Sequence, residues 1–106
     1  MSKHLYKVTF LNHGKIYELY AGRVGSSHLW GFNEVAQLQF DLREGVLIDP
    51  TEERLRDEFA NTKVLHLPVQ SIIRIEEVEK KGPSAIRDAT TGEKVVTPFP
   101  MPSKPR

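Results

Sequence analysis

No cysteine occurs in the 106 residues. Disulfide frameworks, thiolate zinc centres, iron–sulfur clusters and cysteine nucleophiles are thereby excluded, and a reducing, cytoplasmic compartment is the expectation. Nor is there an apolar run approaching the roughly 20 residues of a bilayer-spanning helix, so no membrane association is expected. The start, Met1-Ser2-Lys3-His4-Leu5-Tyr6, carries a lysine but no apolar core region, and no secretory signal is expected. An excess of one charge is missing too. The first 81 residues hold 11 Lys and Arg against 12 Asp and Glu, and the last 25 hold 4 against 2. A body so balanced lacks the basic surplus of a protein that works by neutralising phosphates.

The usual catalytic and cofactor patterns are absent as well. His4, His13, His28 and His66 fall on an N-terminal end, a hairpin tip, a loop and a strand. None is spaced to converge with others on a metal, which needs three or four ligands. Gly22-Arg23-Val24-Gly25 lacks the lysine and following helix of a phosphate loop, and the serines show no nucleophile elbow. Glu52, Glu53, Asp57, Glu58, Glu76, Glu77 and Glu79 read as a solvated helix face and a strand end, without the burial that prepares a carboxylate for proton transfer. No catalytic, cofactor-binding or metal residue is assigned, and the chain is expected not to be an enzyme.

What is present is alternation. At 5–11, Tyr6, Val8 and Phe10 alternate with Lys7 and Thr9, the period of a pleated strand with one face in a core. Asn12-His13-Gly14-Lys15 supplies a hairpin turn, since glycine takes positive φ freely. The return strand, 16–24, carries aromatic weight on both faces and is expected to be curled or covered on two sides. A glycine and serine loop then holds His28, Leu29 and the only tryptophan, Trp30. A third strand follows at 32–40, with Phe32, Ala36, Leu38 and Phe40 read inward; Glu34 falls on the inward side and Val35 on the outward side, so a bulge or strand start is expected near there. A short apolar strand is expected at 46–48.

Asp49-Pro50-Thr51-Glu52 marks a helix start, with a capping aspartate, proline at the first helical position and a capping-box carboxylate three residues on. Leu55 and Phe59, four apart, lay a short helix near 50–60 on the sheet. The last strands occupy 63–67 and 72–78 and are joined by a tight link at Pro68, which has no amide hydrogen to give a ladder. Arg74, set among Ile72, Ile73 and Ile75, is expected to pair with an acidic residue on a neighbouring strand. From Gly82 onward periodicity is lost, and Thr97-Pro98-Phe99-Pro100-Met101-Pro102 favours extended polyproline geometry. The expected organisation is one domain at 1–81 and a mostly disordered tail at 82–106.

The segments Tyr6-Lys7-Val8-Thr9-Phe10-Leu11-Asn12, Gly14-Lys15-Ile16-Tyr17-Glu18-Leu19-Tyr20-Ala21, Asp49-Pro50-Thr51-Glu52-Glu53, Ile73-Arg74-Ile75-Glu76-Glu77-Val78 and Thr97-Pro98-Phe99-Pro100-Met101-Pro102 resemble a family of small bacterial proteins classed as a domain of unknown function. That likeness spans nearly the whole chain and implies no activity. Three meandering strands followed by a strand pair joined at Pro68-Val69-Gln70-Ser71 are also similar to Sm-like and SH3-like small barrels, and Sm-like proteins form rings and bind single-stranded RNA. The fold expected is mainly β with one short helix, a partly open barrel of five or six strands.

Two functional expectations follow. One is a non-catalytic adaptor that binds a protein or peptide through His28, Leu29, Trp30 and Phe32, with Phe99 and Met101 of the tail as a second contact; aromatics concentrate at recognition hot spots. The alternative is single-stranded RNA binding, with Tyr6, Tyr17, Tyr20 or Trp30 stacking on bases and Lys7, Lys15, Arg23 and Arg74 meeting phosphates. Open strand edges make a homodimer a further expectation.

Overall fold

The computed structural model describes residues 4–40 and 50–92. Strand β1 (Tyr6–Asn12) turns through His13 and Gly14, at φ 53 and 74, into β2 (Lys15–Ser26). Two consecutive left-handed residues match the right-handed twist of a hairpin, which is why a short Asn-His-Gly sequence suffices there. Strand β3 (Phe32–Gln39) extends the meander, and helix α1 (Pro50–Glu58) opens with its proline at the first helical position. Strand β4 (Val64–Pro68) ends at Pro68, a single 3-10 turn covers Val69–Ser71, and β5 (Ile72–Glu77) begins at once.

The six-stranded antiparallel sheet runs β4-β3-β2-β1-β5 and does not close. Its sixth strand, β6 (Ala85–Asp88), lies on β2. β2 makes this possible by its length: β1 occupies one edge, while on the other β6 pairs with Lys15 to Glu18 and β3 with Tyr20 to Ser26. Two short strands thus share the edge of one long one.

The core gathers Val8, Phe10, Tyr17, Leu19, Ala21, Val35, Leu55, Leu67 and Ile86. Leu55 is the helix's contribution, and it is fully buried. In β3 Ala36 is buried and Leu38 and Phe40 pack on the core as expected, but before them the alternation breaks: Val35 is buried, whereas Glu34 turns to Arg23 on β2 and pairs with it. The cause is Gln37, whose φ of 59 breaks the pleat. It sits opposite Gly22, where a Cβ would fall 2.5 Å from Gln37 Oε1 and 3.3 Å from Gln37 Cβ, so a side chain there would make Gln37 shift.

The fold also continues past Lys81, where the sequence reading ended the domain. Ser84, Ala85 and Ile86 are all buried. Glu52 holds them there: this residue, expected on a solvated helix face, is 3% exposed. Its Oε1 accepts the Ser84 amide at 2.7 Å and its Oε2 pairs with Lys81 Nζ at 3.0 Å. Lys81 Nζ also lies 5.4 Å from the Tyr20 ring centroid, and Gly82 packs on the Tyr20 hydroxyl so closely that a Cβ would come within 2.8 Å. The second aromatic face of β2 is covered by this segment. On β5, Arg74 pairs with Glu76 of its own strand at 3.5 Å, in place of the expected cross-strand partner. It is two residues from Glu76 and shares its face. The strand expected at 46–48, the capping Asp49 and the residues from 93 on lie outside the described residues.

Removing a buried partner leaves an uncompensated charge. Glu52→Ala is expected to cost about 3 kcal/mol, the range found when one member of a buried pair is deleted. The Ser84 hydroxyl is buried without a hydrogen-bond partner, so Ser84→Ala, which keeps the amide bond to Glu52, is expected to be neutral or mildly stabilising. Urea midpoints of the two variants measure both.

Candidate functional site

The end of the β2–β3 hairpin is a fastened loop. The Ser27 amide donates to Phe32 O at 3.2 Å, the Phe32 amide to Leu29 O at 3.1 Å, and Gly31 takes φ 81 to close the turn. Ser27 Oγ accepts the Leu29 amide at 2.8 Å and meets His66 Nδ1 of β4 at 2.8 Å. The ring of His28 stands edge-on to that of His66, centroids 5.4 Å apart. On the other side the Val69 amide donates to Gly31 O at 2.9 Å, and Ser71 Oγ closes the 3-10 turn on Pro68 O at 2.8 Å. The loop is therefore tied to β4 and to the turn that follows it.

On this frame Trp30 is 95% exposed. The expectation of a contact surface placed His28, Leu29, Trp30 and Phe32 here; the first three are exposed and Phe32 is half-buried. Sequence reasoning missed Val69. It missed a further pair too, because β5 carries one extra residue against β1: Thr9 faces Arg74 but Phe10 faces Ile72, and Ile73 is displaced as a bulge. Among the described residues the well-exposed large apolar side chains are Leu11, Leu29, Trp30, Val69 and Ile73. Val69 lies beside the Trp30 loop, its amide bonded to Gly31 O, and Ile73 follows on the bulge of β5, while Leu11 lies on β1 beside Ile16 at the start of β2. β4 finishes beside the hairpin, where Phe32 faces Pro68, and β5 starts beside Phe10, so the Val69–Ser71 turn bridges the end of β1 and the Trp30 loop.

The Trp30 loop and the turn beside it carry no formal charge: residues 24–33 and 67–73 contain neither Lys, Arg, Asp nor Glu. Their chemistry is apolar contact with a few imidazole and hydroxyl groups at the margin. Among the described residues no group of three or more His, Asp or Glu is placed to hold a metal ion. A separate cleft of about 680 Å³ is lined by His4, Leu5, Gln39, Glu77, Val78 and Glu79. Its His4–Glu77 pair is 58% and 57% exposed, and the Trp30 end is the stronger candidate.

The residues proposed for RNA are differently placed. Tyr17 is buried, stacked on Phe10 at 5.2 Å and edge-on to Phe59 at 6.4 Å. Tyr20 is buried under Lys81 and Gly82, and Tyr6 packs against the core. All three aromatics are engaged in holding the fold. Glu18 takes Lys7 at 3.6 Å together with Arg87 at 2.6 Å, and Arg23 and Arg74 face Glu34 and Glu76. Lys15 stands at the β1–β2 turn. Phe99 and Met101 lie outside the described residues.

Among the described residues, Tyr17 and Asp88 have shifted proton affinities. Burial, reinforced by the nearby Glu58 carboxylate, pushes the Tyr17 hydroxyl above its ordinary value. The Asp88 carboxyl is held below its ordinary value by the amides of Thr91 and Thr90, at 3.1 and 2.8 Å, which terminate β6. Both act on the fold, away from the Trp30 end.

Comparison with known proteins gives one match. The family model described as Domain of unknown function (DUF1820) covers residues 4–101, and the chain belongs to that family. No curated protein and no solved structure matches it significantly. Among the described residues, no helix is long and apolar enough to cross a membrane.

The Tyr17 shift has a defined sign. A phenol whose proton is held more tightly folded than unfolded contributes its full stability below the unfolded value near 10, and loses it as pH rises through the higher folded value. Urea unfolding is expected to be flat through neutral pH and to weaken above about pH 10. Tyr17→Phe removes that group's part of the alkaline loss. An unchanged slope in the variant would assign the loss to other groups.

Proposed function

We propose that this protein is a non-catalytic binding module whose Trp30 end engages a protein or peptide partner. The single observation behind this reading is a tryptophan 95% exposed at the apex of a loop held by hydrogen bonds on both flanks. A large apolar ring in water gains most by being covered. A loop already ordered before binding loses less conformational freedom when it docks. Leu29 on the same loop and Val69 on the turn bonded to Gly31 extend the contact, and neighbouring exposed apolar groups of this kind mark interaction sites. With no formal charge at the surface, the partner is recognised through apolar packing. The absence of cysteine and the absence of a spanning helix among the described residues fit a cytoplasmic location.

Single-stranded RNA binding is the second reading, and Trp30 is the observation in its favour, since bases stack on exposed aromatics. Against it, three of its proposed cations face carboxylates of the same chain.

Retention from an extract of the native cell by the immobilised protein separates the readings. Trp30→Ala is expected to lose the partner by at least tenfold, the effect of a tryptophan hot spot, with an unchanged urea midpoint. Wild-type retention is expected to persist as salt rises. Retention unchanged in Trp30→Ala would overturn the proposal, and a retained nucleic acid whose binding falls steeply with salt would favour RNA.

A further inference from the structure

We infer that His28 and His66 form a two-imidazole site for a divalent transition-metal ion of the copper, nickel or zinc kind. The inference stands apart from the reading of Trp30 as a contact surface.

The two residues are far apart in sequence, and the pairing of β3 with β4 brings them together. His66 lies on β4 opposite Glu34, and His28 lies on the loop that joins β2 to β3. Their ring centroids are 5.4 Å apart, with the planes at 87°. A metal ion sits about 2 Å from an imidazole nitrogen and about 1 Å further from the ring centre, so two imidazoles on one tetrahedral ion have centres about 5 Å apart. The pair therefore already has the spacing at which both rings share an ion. His28 is exposed and His66 half-buried, which leaves the pair open to an ion from solvent.

One ring is held in a metal-binding orientation. His66 Nδ1 lies 2.8 Å from Ser27 Oγ, and the same oxygen accepts the Leu29 amide at 2.8 Å. A hydroxyl oxygen has two lone pairs, so Ser27 can accept the Nδ1 proton together with that amide. With the proton on Nδ1, the lone pair of His66 is on Nε2, ready for an ion. Metal-bound histidines are fixed in this way, through the ring nitrogen that does not touch the metal.

The surroundings suit a cation of this class. Residues 24–33 and 67–73 hold no Lys or Arg to repel it. The carboxylate opposite His66, that of Glu34, is engaged by Arg23, so the coordination shell is two imidazoles completed by water. Such a donor set binds Cu²⁺ more tightly than Ni²⁺ or Zn²⁺ and passes over Mg²⁺ and Ca²⁺, which take oxygen ligands. An ion held there joins the Trp30 loop to β4 a second time, beside the Ser27–His66 bond.

Trp30 is the only tryptophan and stands two residues from His28, so its fluorescence, which bound Cu²⁺ quenches at short range, reports the site. The full chain is titrated with cupric chloride and, separately, with magnesium chloride. Cu²⁺ is expected to quench Trp30 saturably at one ion per chain and to be reversed by EDTA, with Mg²⁺ inert. His28→Ala and His66→Ala are each expected to raise the half-saturating concentration by at least about tenfold, and Ser27→Ala, which frees the His66 ring, by about as much. The double variant His4→Ala/His13→Ala is expected to bind as the wild type does. His28 is exposed, so its variant is expected to keep the urea midpoint and decides the test even where His66→Ala is less stable. Quenching that does not saturate, that persists undiminished in His28→Ala, or that is lost in His4→Ala/His13→Ala overturns the inference.

Discussion

A single strand longer than any of its neighbours constrains the whole molecule. Because β2 has twelve residues, it can be flanked by β1 over its first half and, on its opposite edge, by β6 and then β3. Where that second edge passes from β6 to β3, the pleat must bend. The bend follows directly after, with Gly22 facing a left-handed Gln37. Inward and outward positions are reset beyond it, which is why Val35 fills the core and Glu34 faces Arg23. The buried carboxylate of Glu52 then secures β6, tying the start of the helix to a strand that follows it by more than thirty residues.

Much of this could be read from residue order, and what could not has physical causes. Strands β1, β2, β4 and β5 announce themselves because their apolar residues recur at every second position and their ends carry Gly14 or Pro68. The helix start is equally plain, with Pro50 where its missing amide does no harm. The misplaced Glu34 and Val35 signal an irregularity in β3, but its exact position is not legible because nothing in Gln37 itself declares a positive φ. β6 is hidden for another reason: four residues, Ala-Ile-Arg-Asp, between Gly82-Pro83 and Thr90-Thr91-Gly92 hold too few apolar side chains to show a period. Glu52 was misread because a carboxylate in the third position of a helix has a local use, and its distant partners, Lys81 and Ser84, leave no local trace.

At the candidate site the composition pointed to a loop that the structure holds open to solvent. A lone tryptophan between glycines is a strong mark on a short chain, and His28, Leu29 and Trp30 stand together as expected. The rest of the surface comes from elements far apart in sequence. Val69 looked like part of a tight link, and Ile73 and Leu11 looked like strand residues whose side chains would be shared between faces. The 3-10 turn brings Val69 to the loop, and a bulge on β5 exposes Ile73. Conversely, tyrosines that looked suited to stacking are occupied in packing, since a sheet covered on both faces needs aromatic mass on both.

The bulge at Ile73 has another effect. A flat strand at the rim of a sheet offers its spare amides and carbonyls to any other chain, and a molecule that also displays bare apolar groups invites runaway stacking into fibrils. Here the rim at β5 is twisted by its extra residue and carries Glu76 and Glu77, while the rim at β4 runs out at a proline. Such rims template poorly. Greasy side chains can then stand in water at high cellular concentration without the molecule polymerising through its backbone.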